Sequence, residues 1–198
     1  MTRRSAIILV GGEAKRANGQ EKYFFTMDGR TFIERLIGSL EQVVDEIVLV
    51  AKDPAQCQRF SHLGGVRCVT DIRRGRGPIG GIHAGARAAT GDLVFVCACD
   101  MPCVSPGVVR ELFSLIGDAD AVIPRWDGEM LEPLHAVYRR TSLISCLERQ
   151  DPPSLRALAG SLHVVFVDAR SFGEIDPGLR TFTNINRPED LSSLSRGA

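Results

Sequence analysis

Short apolar runs return at intervals along this chain. Between them lie stretches whose apolar residues recur every three or four positions. The runs Ala6–Val10, Glu46–Ala51, Val66–Thr70, Asp92–Ala98, Ala121–Pro124 and Val164–Val167 have the length and content of buried strands. Thr31–Val43 places Phe32, Leu36, Ile37 and Leu40 on one helical face. Ser105–Ile116 does the same with Val108, Val109, Leu112 and Leu115, behind a capping Ser105 and Pro106. Ile79–Ala89 is rich in glycine and alanine, as suits a helix lying close on a sheet, and Pro188–Leu194 reads as a short terminal helix. This alternation predicts an α/β fold with a mostly parallel sheet and helices on both faces. Nothing in residues 1–198 reads as a linker or repeat, so a single domain is expected.

In sheets of this kind ligands bind beyond the carboxyl ends of the strands, so the residues that follow the strands carry the chemistry. After the first strand come Leu9, Val10, Gly11 and Gly12, then Arg16, Gly19 and Lys22 on a stretch with no apolar period. Glycines that let backbone amides approach an anion, followed by two cations, form a polyphosphate cradle. The spacing GG-x3-R-x2-G-x2-K is neither of the two common phosphate loops. Asp71 follows the third strand and opens a segment with Arg73, Arg74 and Arg76, then Gly77-Pro78 and Gly80-Gly81 at a helix start. A cationic, glycine-rich turn of this kind suits a nucleotide.

Asp100 ends the fourth strand, where a carboxylate can hold Mg²⁺ bridging nucleotide phosphates or cap the following turn. His135 lies on an apolar stretch, a setting more usual for a wall residue than for a catalyst, and no nucleophile pairs with it. Asn184 and Asn186 share one face of an extended segment, from which they can offer amides to a polar ligand or cap the turn before Pro188.

Bulk properties narrow the partners. Twenty-four basic residues balance twenty-four acidic ones, leaving no general field to hold nucleic acid or an anionic membrane. No apolar run reaches spanning length, and Met1-Thr2-Arg3-Arg4 leads directly into a strand, so a cytoplasmic location is expected. The six cysteines include no C-x-x-C pair. They read as buried small thiols rather than as disulfides or a metal site, with Cys97 and Cys99 on one strand face.

Taken in order, these motifs resemble those of the molybdenum cofactor guanylyltransferase family. Its opening L-x-G-G-x-x-x-R-M-G-G-x-D-K corresponds to Leu9 through Lys22, with Ala17-Asn18 in place of Met-Gly and Glu21 in place of the aspartate. Its G-P-L-A-G-I corresponds to Gly77–Ile82, its aspartate-Met-Pro to Asp100–Pro102, its P-L-x-A-x-Y to Pro133–Tyr138, and its N-I-N-T-P-E-D-L to Asn184–Leu191. The resemblance implies a three-layer, Rossmann-like nucleotidyltransferase fold and a Mg²⁺-dependent transfer of GMP from GTP to the phosphate of molybdopterin. Arg16, Lys22 and Asp100 would be catalytic. Leu9, Val10, Gly11, Gly12, Lys22, Asp71, Gly77, Pro78, Gly80, Gly81 and Asp100 would line the nucleotide, and Asp100 would hold the metal. His135, Asn184 and Asn186 would meet the acceptor, and molybdoenzymes or their chaperones would be further partners. The double glycine at Gly11-Gly12 places the chain with the guanine-using branch, Gly11 leaving room for a purine edge. Rival readings are a nucleotidyltransferase using CTP or another phosphate acceptor, and a degenerate nucleotide-binding module. A hydride-transferring dinucleotide protein is disfavoured because the first strand does not open into G-x-G-x-x-G.

Overall fold

Runs that are apolar on both faces must be covered on both sides, and helices supply the cover. In the computed structural model, which describes residues 2–11, 22–71, 73, 75–127, 130–186 and 190 and the backbone alone of Lys22, the chain alternates accordingly. It runs β1 (Arg4–Leu9), a hairpin of β2 (Thr26–Met27) and β3 (Arg30–Thr31), α1 (Phe32–Leu40), β4 (Glu46–Ala51), α2 (Pro54–Gln58) and β5 (Val66–Thr70). Then come α3 (Pro78–Ala88), β6 (Leu93–Ala98), α4 (Pro106–Ser114), β7 (Ala121–Arg125), β8 (His135–Arg139), α5 (Arg140–Arg149), α6 (Leu155–Gly160) and β9 (Val164–Asp168). Short 3₁₀ turns occupy Lys22–Phe24, Ala169–Glu174 and Arg180–Phe182.

Seven strands form one sheet in the order β5-β4-β1-β6-β8-β7-β9. All run parallel except β8, which is antiparallel to both β6 and β7. The expected α/β fold with a mostly parallel sheet is therefore the observed one. The expected strands all form, but β8 is an addition to them, as are α2, α5, α6 and the small hairpin. The hairpin turns on Asp28-Gly29, both at positive φ, the backbone that a two-residue turn between antiparallel strands needs. The expected helix at Pro188–Leu194 lies outside the described residues.

Strand alternation divides the core in two. Ala6 and Ile8 join Leu49, Phe95 and the inner faces of α1 and α4 on one side of the sheet. Ile7 and Leu9 join Val48, Val50 and α3, α5 and α6 on the other. Helix α1 starts where Thr31 and Glu34 cap each other's backbone amides, and α4 starts on Ser105, whose hydroxyl accepts from Val108 N. Helix α3 lies against β1 and β4 at a distance only glycine permits. A Cβ on Gly85 would collide with Ile7, and one on Gly81 would stand 3.1 Å from Leu9 Cδ2.

Two cysteines depart from expectation. Cys57 on α2 and Cys68 on β5 form a disulfide, with Cα atoms 5.8 Å apart. Cys97 and Cys146 are buried free thiols, while Cys99 and Cys103 are half-buried. No helix among the described residues is long and apolar enough to cross a membrane.

Candidate active site

Four parallel strands end side by side, and their exits are tied into one continuous edge. Asp71 N donates to Ala51 O at 2.8 Å, Gly11 N to Val50 O at 2.9 Å, and Cys99 N to Leu9 O at 3.1 Å. On the far side Ile185 N donates to Asp100 O at 2.7 Å, which docks the Asn184–Asn186 segment against the end of β6. The structure thus brings Asp71, Gly11, Asp100, Asn184 and Asn186 to one edge of the sheet. Asn184 and Asn186 are exposed and flank Ile185, which is buried among Phe25 and Phe32. Both amides therefore sit on one solvent-facing side of the segment, and Asn186 N donates to Asp190 Oδ2.

The described part of the first loop plays a different role from the expected one. Leu9 and Val10 are core side chains. Val10 N and Gly11 N both donate to Val50 O, so the Gly11 amide is already spent on β4 and is not presented to an anion. A Cβ on Gly11 would stand 2.8 Å from Lys52 N. Gly11 is thus needed because the exits of β1 and β4 touch, not because a purine needs room. Gly12, Arg16 and the Lys22 side chain lie outside the described residues.

The glycine-arginine segment is likewise tied up. The Asp71 carboxylate accepts from Arg73 N at 2.7 Å and lies over the first turn of α3, where a Cβ on Gly80 would come within 2.7 Å of it. Gly80 and Gly81 are therefore packing positions, and an internal carboxylate already faces that helix start. Gly77, at φ +57°, and Pro78 remain exposed at the N-terminus of α3. Arg73 donates to Leu147 O at 3.2 Å and to Asp151 Oδ1 at 2.9 Å, while Arg76 pairs with the same carboxylate at 2.8 Å. The expected free cationic turn is instead a clamp onto the C-terminal end of α5. Arg74 lies outside the described residues.

His135 is corrected from an acceptor contact to an internal strut. It is fully buried, with its ring edge-on to Phe95 and Phe182. Its Nε2 lies 3.0 Å from Thr181 Oγ1, which in turn accepts from Ser105 N at 3.0 Å. The hydroxyl and Nε2 share one hydrogen bond, and Nδ1 is buried with no hydrogen-bond partner among the described residues. This chain joins β8, the cap of α4 and the turn leading to Asn184. Thr181 went unnoticed in the sequence because a threonine near a turn has many ordinary uses. Burial pushes the His135 pKa down from 6.5 to about 3. The unfolded chain therefore takes up this proton at higher pH than the folded one, so the native ring contributes full stability above about 6.5 and loses it as pH falls toward 3. The expected result is that urea unfolding of His135→Gln is less acid-sensitive between pH 7 and pH 5 than that of the wild type, by up to about 1.36 kcal/mol per pH unit. Parallel pH profiles would show that the ring is not buried neutral.

One further residue was missed. Gln56, on α2, is buried at 3% exposure and reaches three separate segments. Its Nε2 donates to Val10 O and to Tyr23 Oη, each at 3.2 Å, and its Oε1 accepts from Lys52 N at 2.8 Å. A glutamine on a polar five-residue stretch gives no sequence signal of burial.

For a metal, the candidate donors are one carboxylate just past β6, Asp100, and the Asn184–Asn186 segment docked on the Asp100 backbone. Among the described residues no three His, Cys, Asp or Glu side chains gather into a metal cluster. That is the pattern of Mg²⁺ sites, in which one or two carboxylates share the ion with substrate phosphates and water, so Asp100 fits such an ion.

A largely parallel sheet of this order, covered on both faces and with its polar residues along one carboxyl edge, is the architecture of a Rossmann-like nucleotidyltransferase. The MobA-like NTP transferase domain family matches residues 6–165. The probable molybdenum cofactor guanylyltransferase of Methanosarcina mazei is 38% identical, covering 96% of this chain and 89% of that protein. The molybdenum cofactor guanylyltransferase of Desulfosudis oleivorans is 36% identical, over 94% and 92%. The crystal structure of molybdopterin-guanine dinucleotide biosynthesis protein A from Archaeoglobus fulgidus superposes with a TM-score of 0.81 at 31% identity, covering 97% of both chains. The chain belongs to the MobA-like NTP transferase family.

Proposed function

We propose that this protein transfers GMP from GTP to the phosphate of molybdopterin, with Mg²⁺ as cofactor, in the cytoplasm. The observation that carries the reading is the placement of Asp100. It sits at the carboxyl end of β6 between the β1 exit, which leads into the glycine-cation motif, and the docked Asn184–Asn186 segment. Nucleotide and acceptor would then meet on either side of one carboxylate.

An oxygen of the acceptor phosphate attacks the α-phosphorus of GTP in line, the α–β P–O bond breaks, and pyrophosphate leaves with the electron pair. The attacking oxygen is already anionic, so no protein nucleophile or general base is required. Catalysis consists of positioning and charge stabilisation. Asp100 would hold Mg²⁺, which when bound neutralises charge on the phosphates. Arg16 and Lys22, assigned by their place in the motif, would oppose the charge growing on the transferred group and on pyrophosphate. Asn184 and Asn186 would offer amides to the pterin, and the Thr181–His135 strut would hold their segment in place.

The test is pyrophosphate release from GTP, CTP and ATP, each with Mg²⁺ and molybdopterin, with products identified by mass. GTP is expected to lead by tenfold or more, about 1.4 kcal/mol. Parity between CTP and GTP would move the protein to a cytidylyl-transferring activity. Absence of pyrophosphate with every nucleotide would overturn the reading.

A further inference from the structure

We infer that Gln56 is a positioning residue for the nucleotide end of the site: one buried amide fixes both places where the chain enters and leaves the glycine-cation segment. The inference rests on the nucleotidyltransferase reading above. It deepens that reading by adding a residue from a part of the chain that none of the recognised motifs covers.

The argument is one of geometry and hydrogen-bond accounting. Val10 is the last buried residue before the motif, and Tyr23 is the first buried residue after it. They bracket residues 12–21 in the chain, and both bond to the same Nε2. The amide's orientation is set by chemistry, because Lys52 N–H is a donor and must face Oε1, while Val10 C=O is an acceptor and must face Nε2. Three of the four bonding positions of the amide are therefore filled, from three different segments. Tyr23 is held from its other side by Phe60, with ring centroids 4.9 Å apart.

Helix α2, which carries Gln56, has only five residues and does not hold itself. Asp53 caps it by accepting from Gln56 N at 2.7 Å, Pro54 begins it, and the neighbouring Cys57 is bonded to Cys68 of β5. Three anchors on so short a helix keep this one amide in place. Buried polar groups cost free energy unless every partner is present, so loss of the amide leaves Val10 O and Lys52 N without these bonds in a closed space. The segment ends would then shift, and with them Lys22, which directly precedes Tyr23.

The experiment measures GTP affinity by calorimetry without acceptor, and the KM of each substrate, for wild type, Gln56→Met, Gln56→Glu and Tyr23→Phe. Methionine keeps the volume and removes all three bonds. Glutamate keeps the acceptor for Lys52 but turns a carboxylate toward the Val10 carbonyl. Both are expected to bind GTP at least tenfold more weakly and to raise its KM in proportion, with the acceptor KM within twofold of wild type. Tyr23→Phe removes the hydroxyl to which Gln56 Nε2 donates and is expected to weaken GTP several-fold. The losses in the double variant Gln56→Met/Tyr23→Phe should be less than additive, because the two residues share a contact. A residue that only supports folding would instead lower the melting temperature and kcat while leaving both KM values alone, and that pattern overturns the inference. If Gln56→Met does not fold, Tyr23→Phe decides, and unchanged GTP affinity there overturns it. Wild type binding no nucleotide would overturn the functional reading and this inference together, whereas equal binding by wild type and folded Gln56→Met overturns this inference alone.

Discussion

Asp100→Ala is expected to lower guanylyl transfer on the order of a thousandfold, about 4 kcal/mol of transition-state stabilisation, with the fold intact. The docking of the Asn184–Asn186 segment should survive because it uses the Asp100 carbonyl, which alanine keeps. The carboxylate is what the variant loses, and with it the anchor proposed for Mg²⁺ beside the reacting phosphate. Pyrophosphate release at ordinary Mg²⁺ concentrations, read beside thermal unfolding, checks this. Near-normal turnover would remove Asp100 from the chemistry, and a melting temperature tens of degrees lower would make it a structural residue.

Lys22→Ala is expected to lower kcat about a hundredfold, whereas Arg73→Ala should change it by no more than a few-fold. The contrast follows from what holds Arg73. Its guanidinium spans from the end of α5 to Asp151, a carboxylate that Arg76 shares, so it is already held in a structural contact. Its loss should appear in stability instead, at about 1 kcal/mol or less for so exposed a pair. Kinetics at two salt concentrations with urea titrations of both variants separate the two effects. Equal losses of kcat with equal salt dependence would show that the N-terminal loop is not the catalytic clamp.

The parts of this architecture that could be read from the chain are those whose cause is local. Strands such as β4, Glu46–Ala51, announce themselves because burial on both faces demands an unbroken apolar run. The caps of α1 and α4 are legible because Thr31 with Glu34, and Ser105 with Pro106, satisfy amides within their own first turns. What could not be read depends on partners distant in sequence. Arg73 looks like a free cation until Asp151, 78 positions away, is brought beside it. The Gly11 amide looks available until β4 comes alongside and Val50 takes it. His135 begins β8, a strand buried almost throughout whose short run HAVYR is bounded by a histidine and an arginine and so does not read as an apolar run. Its place beside Thr181 comes from the Arg180–Phe182 turn folding back over the sheet. The Cys57–Cys68 bond was missed for a related reason. The cysteines include no C-x-x-C pair and read as buried small thiols, and spacing along the chain carries no information about which distant thiols meet.

That bond bears on where this molecule opens first. Strand β5 is a border of the sheet, with β4 as its only strand neighbour among the described residues, and such borders tend to fray ahead of the interior. The bridge closes a loop only eleven residues long in sequence, so by chain entropy it contributes about 3 kcal/mol. Those few kilocalories are placed where local opening would otherwise begin, and they bind β5 and α2 into one cooperative unit. The amide protons of that border would thus exchange with solvent through rare, larger openings while the bridge is intact, and through frequent small ones once it is reduced.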